Sequence, residues 1–195
     1  MSLSKIARPA ATPISNSTLG VETTTERVAM TFAPEAVQQL VEQLIKYAHP
    51  IEATVRETIS NAIDATMMMP ESNRNAVEVF LPGAHRKSFT VRDHGIGMSK
   101  EDISVVWSQF GASEKMTNYD AIGSYGLGAK APMSYCTEFY GITIKDGIQT
   151  EFSVVRNEDD GLFVNIGEQV ETSDPSGTQI TVPVRSGDEE NFAKA

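Results

Sequence analysis

The chain has 195 residues, a hydrophobic fraction of 40% and a mean hydropathy of -0.23, the profile of a soluble globular chain long enough to bury a core. Its 26 acidic against 16 basic side chains leave a net charge of -10. This excludes a broad basic face for nucleic acid, whose affinity rests on neutralising phosphates, but not a site for one nucleotide, whose charge backbone amides and Mg²⁺ can meet. No stretch approaches the roughly 20 apolar residues of a membrane helix, the single cysteine, Cys136, rules out an intrachain disulfide, and His49, His85 and His94 lack metal-ligand spacing.

Residues 1–20 are rich in Ser, Thr, Pro and Ala and lack acids, which predicts a flexible N-terminal tail ahead of a domain over 21–190. The stretch 21–32 alternates as a strand does. Val37, Leu40, Val41 and Leu44 recur at helical spacing over 33–48. Pro50 suits the first position of a second helix, which runs to about Met68 and stops before Pro70. Residues 76–81 and 88–92 read as strands around a Pro82-Gly83 turn, and 99–110 as a short helix. The glycine-rich 111–128 reads as loop, with a helix start near Ala129 that Pro132 tolerates. Strand-like runs follow at 138–144, 149–155, 162–166 and 178–184. Helices early and antiparallel strands late predict an α+β domain of two layers.

Three places carry candidate chemistry. On the second helix Glu57, Asn61 and Asp64 share an arc of about 60°, with Ile51, Val55, Ile59, Ala62 and Ile63 opposite. Such an arc is either the solvated side of an amphipathic helix or a functional one. In the second case the Asn61 amide oxygen suits Mg²⁺, and Glu57, one turn earlier, suits holding and deprotonating a water. Next, Asp93 closes a strand and Gly95 and Gly97 follow. This is either a tight turn or a place where a ligand approaches the backbone. An ionised Asp93 only accepts hydrogen bonds, so it favours adenine's amine over guanine's carbonyl.

Third is the loop "GSYGLGAK", Gly123–Lys130. It is not a Walker A loop, because Lys130 does not directly follow Gly128 and no Ser or Thr follows the lysine. Nor is it a Rossmann turn, since the order is G-x-x-G-x-G with no clear strand before it. Its glycines offer unhindered amides, so it is either a surface loop or a phosphate lid. Lys130 either meets phosphate or begins the next helix in solvent.

The order of these elements, E-x-x-x-N-x-x-D, then D-x-G-x-G, then G-x-x-G-x-G, then Gly177-Thr178 entering a strand, resembles the GHKL ATPase superfamily of gyrase B, Hsp90, histidine kinases and MutL, over about residues 24–185. "VRETISNAIDA", "VRDHGIGMS", "GSYGLGAKAPMSY" and "GTQITVPV" also resemble the N-terminal domain of phage RIIA-type rapid-lysis proteins. The resemblance implies a Bergerat-type sandwich: a mixed, mainly antiparallel sheet with helices on one face. It implies ATP and Mg²⁺ as ligands, with Glu57 the general base and Asn61 the Mg²⁺ ligand. Asp64 would line the pocket near the base, and Asp93 would read the adenine amine. Gly95 and Gly97 would shape the base pocket, and Met98 would cover the base. Gly123, Ser124, Tyr125, Gly126, Leu127, Gly128, Ala129 and Lys130 would form the lid, and Thr178 would support the adenine site. Ser113 and Lys115 match the Ser/Thr–Lys element ahead of the lid, although Glu114 departs from that pattern. The resemblance further implies a slow ATPase, a homodimer formed on ATP binding, a longer parent protein, and a host-cytoplasmic role in lysis control or host exclusion. A catalytically inactive interaction module on the same scaffold is the alternative.

Overall fold

The computed structural model describes residues 26–29, 31–32, 49–110, 128–157 and 161–195. In chain order these form β1 (Glu26–Ala29), β2 (Thr31–Phe32), α1 (Pro50–Met67), β3 (Glu78–Phe80), β4 (Ser88–Arg92), α2 (Lys100–Ser108) and β5 (Gln109–Phe110). A 3-10 segment, Gly128–Ser134, then leads into β6 (Glu138–Lys145), β7 (Ile148–Asn157), β8 (Gly161–Glu171), β9 (Gly177–Pro183) and α3 (Glu189–Lys194). The tail at 1–20, the helix expected over 33–48 and the loop 111–127 lie outside the described residues.

Seven strands make one sheet in the order β1-β8-β7-β6-β9-β4-β3, and every pairing in it is antiparallel. The parallel pairing is a separate two-stranded sheet, β2 with β5. This corrects the single strand expected over 21–32: its described part divides, β1 pairing with β8 and β2 with β5.

The α+β expectation holds, and its reason is visible in the side chains. Phe89, Val91, Phe139, Phe152, Val154, Val164, Ile166 and Val182 alternate onto one face of the sheet and are buried against Val55, Ala62, Ile103, Trp107 and Phe192 of the helices. Phe192 comes from α3, a helix the sequence pattern did not announce; its ring packs against Phe89 and Tyr135 at 5.4 and 5.0 Å. The β6–β7 hairpin closes on Asp146-Gly147, both at positive φ (53° and 75°), the geometry an Asp-Gly turn favours.

Helix α1 starts on Pro50 as expected and buries three threonines, Thr54, Thr58 and Thr66. Each returns its hydroxyl to the carbonyl four residues back, at 2.7, 2.7 and 2.9 Å, so no hydroxyl is stranded in the core. Helix α2 begins on a reciprocal cap: Ser99 N–H donates to Asp102 Oδ2 (2.9 Å) and Asp102 N–H to Ser99 Oγ (3.1 Å). No described helix is long and apolar enough to cross a membrane.

Candidate functional site

Between α1, the 93–98 turn, α2, the 3-10 segment and the ends of β6 and β9 lies a cavity of about 370 Å³, within the size range of small-molecule sites. Helix α1 faces it with Thr58, Asn61, Ala62, Ala65 and Met68. That stripe is rotated by roughly 70° from the predicted arc of Glu57, Asn61 and Asp64. Asn61 belongs to both. Asp64, on the far side of the arc, does not line the cavity. The expected oily side is altered too: Ile63 is 43% exposed while Thr58 is buried.

The cavity floor is built on Asp93, which is 5% exposed. Its Oδ1 accepts the amides of Gly95 (2.8 Å) and Thr178 (3.1 Å), and its own N–H donates to the Thr178 carbonyl (2.9 Å). Among the described residues Oδ2 has no hydrogen-bond partner, so the carboxyl is anchored by one oxygen and offers the other. Burial raises the Asp93 pKa above its ordinary value, and the two amides only partly counter that.

Protein backbone presses closely on the glycines. At Gly97, φ is +65° and an added Cβ would stand 1.9 Å from the Ile144 carbonyl oxygen; at Gly177 it would stand 2.2 Å from that of Asp93. Gly95 sits against the Ala65 carbonyl and does not line the cavity, whereas Gly97 does. Met98 lines the cavity, and its amide donates to Thr143 Oγ1 (2.8 Å). Thr143 Oγ1 in turn shares a hydrogen bond of 3.0 Å with Oγ1 of Thr178, another lining residue.

At the other end, Glu57, Asn61 and Gly128 converge. A Cβ on Gly128 would lie 2.5 Å from Glu57 Oε2 and 3.9 Å from Asn61 Nδ2. Arg56 holds the other oxygen of Glu57, Oε1, from Nε (3.1 Å) and a terminal nitrogen (2.8 Å). The Glu57 side chain is only 18% exposed, so it is no part of a freely solvated helix face. Among the described residues no cluster of three or more His, Cys, Asp or Glu could hold a metal. An Mg²⁺ ion here would be held through the Asn61 amide oxygen together with ligand phosphates, a hard-oxygen set that suits the ion.

Gly128 and Ala129 line the cavity; Lys130 does not. It is neither in solvent nor at the cavity surface: it is 6% exposed, and its Nζ donates to the Val106 carbonyl at 2.6 Å. Ser113, Lys115, Gly123, Ser124, Tyr125, Gly126 and Leu127 lie outside the described residues.

Sequence reasoning missed several lining residues. Trp107 is 4% exposed, packs on Phe139 and Phe152 with ring centroids 5.4 Å away in each case, and has an indole N–H without a partner among the described residues. Lys145 and Asp102 pair across the cavity edge at 2.6 Å. Burial pushes the Asp102 carboxyl up, but the Lys145 and Ser99 donors outweigh it and hold the group below its ordinary value. Thr143 gave no signal beyond its place in an alternating strand; Asp102 could have been found from the S-x-x-D cap.

Comparison with known proteins gives two findings. The family described as "Histidine kinase-, DNA gyrase B-, and HSP90-like ATPase" matches residues 48–175. The chain is 31% identical over 98 residues to the B-type subunit of type 2 DNA topoisomerase 6 from Saccharolobus solfataricus, a match spanning 48% of this chain and 18% of that protein.

Proposed function

Because the chain belongs to the family of histidine kinase-, DNA gyrase B- and HSP90-like ATPases, a family of ATP-binding domains, we propose that this cavity takes MgATP, adenine on Asp93 and phosphates at Asn61 and Gly128, with Glu57 beside them. The observation that carries the reading is the Asp93 carboxyl, fixed through Oδ1 by two amides with Oδ2 left over in a buried, largely apolar cavity. An exocyclic amine satisfies that oxygen; a carbonyl in its place leaves two acceptors facing each other. The base sits between Met98, Ile96 and Val105 on one side and Ala65 on the other. Glu57 Oε2, beside Gly128, orients and deprotonates the attacking water, and turnover in this segment is slow.

ATP binding then acts as a switch that favours a homodimer, a population shift drawn from unequal affinity for two states. On the resemblance of its motifs, the biological setting is a phage RIIA-like protein acting in the host cytoplasm on lysis timing or host exclusion. A second reading, an interaction module with little hydrolysis, is favoured by apolar lining residues at the cavity mouth, where Met68, Ile96 and Val105 are 53, 41 and 46% exposed.

Thermal unfolding with Mg²⁺ and ATP, ADP or GTP tests the proposal. ATP at about 100 times its dissociation constant adds roughly 2.7 kcal/mol of stability. Asp93→Asn removes most of that gain, because the amide can turn a donor toward the adenine amine. Equal stabilisation by GTP, or none by adenine nucleotides, refutes the assignment.

A further inference from the structure

Lys130 is a buried amine that the proposed chemistry does not use. Its position explains why it is there. Val106, whose carbonyl it holds, lies in the last turn of α2 (Lys100–Ser108), where carbonyls lack intrahelical partners. Val106 and its neighbours Val105 and Trp107 form one wall of the cavity. Gly128 and Ala129, directly before Lys130, form another, and Gly128 stands against Glu57. The side chain therefore crosses behind the cavity from the stem of the glycine loop to the helix on the base side.

We propose that Lys130 is a positioning residue: its amino group, seated on the Val106 carbonyl, ties the Gly128–Ala129 stem to the C-terminal turn of α2 and so sets the distance between the phosphate end and the base end of the nucleotide site. The inference rests on the nucleotide reading given above. Burial supports it, because an amine so placed is held from its ordinary 10.5 down to about 7. An apolar side chain of equal length would pack there without that cost. The geometry assigns the lysine a role in alignment rather than in holding the fold together.

The test uses the 195-residue chain with Lys130→Met, which keeps length and loses the donor, and Lys130→Arg, which keeps a donor. Trp107, the only tryptophan of the chain, lines the cavity and reports ATP binding through its emission. The expected result is a loss of ATP affinity of about tenfold or more in Lys130→Met, its melting temperature without ATP unchanged or raised, and affinity at least partly restored in Lys130→Arg. Affinity in Lys130→Met within about twofold of wild type overturns the proposal. So does a melting temperature that falls together with affinity, or a Lys130→Met chain that does not fold, since either makes the tether a structural strut. A wild-type chain whose emission and melting temperature ignore ATP is a different failure: it removes the nucleotide reading itself.

Discussion

Replacing Lys130 by methionine is expected to stabilise the protein in acid and to lose that effect in alkali. Burial holds the amine down from 10.5 to about 7. At roughly 1.4 kcal/mol per pH unit, the charged form therefore costs the folded state about 5 kcal/mol relative to the unfolded chain. Below about pH 7 both states carry the proton and the whole cost is present. Between about 7 and 10.5 the unfolded chain keeps the proton that the folded chain has released, so stability rises with pH. Above that window the cost is gone. Methionine removes it but leaves the Val106 carbonyl without its 2.6 Å donor, a loss of about 1–3 kcal/mol. Near pH 6 the variant should be more stable by about 2–4 kcal/mol, and near pH 9.5 equal to wild type or slightly less stable, a swing of about 3 kcal/mol. Cys136 and the tyrosines also titrate in alkali, but they are common to both chains and cancel. Urea unfolding followed by Trp107 emission at the two pH values measures the swing. A difference between the chains that is the same at both, or a variant less stable near pH 6, refutes the reasoning.

Two further outcomes are expected. Gly97→Ala should destabilise the protein by about 2 kcal/mol or more in the same urea assay, because the residue sits at φ +65° and its new methyl would meet the Ile144 carbonyl at 1.9 Å; a neutral result contradicts the packing of the 93–98 turn on β6. Glu57→Ala should retain ATP affinity within a few-fold while phosphate release falls by about 10²-fold or more. Phosphate release no faster in wild type than in this variant supports binding without hydrolysis, the second functional reading.

What the sequence made legible was local. Pro50 and Pro70 bracketed α1, alternation located β4, β6, β7 and β9, and Asp93 stood out by closing a strand ahead of two glycines. What it hid depends on distant pairing. The division of 21–32 between two sheets is decided by β8 and β5, more than 70 residues away in each case, and no periodicity within twelve residues records that. The face of α1 turned to the cavity was displaced from the carboxylate–amide arc because buried threonines that bond back to their own helix can occupy positions that hydropathy assigns to solvent. Lys130 is hidden for a similar reason: a lysine after glycines reads as exposed or phosphate-bound, whereas the end of α2 lies beside it and supplies a carbonyl against which it is buried. Thr143 and Lys145 enter the site because β6 lies beside β9, a tertiary fact.

The strand order has a consequence for assembly. β9 lies between β4 and β6 and, among the described residues, is the strand that joins the β3–β4 hairpin to the meander β6-β7-β8. It also carries Gly177 and Thr178, whose backbones lock Asp93. On the proposed reading, the base end of the cavity is complete only when residues 177–183 are seated between the two halves of the sheet. A chain lacking this strand loses the Thr178 amide that anchors Asp93 and should lose nucleotide affinity with it, so ligand binding would report a closed sheet.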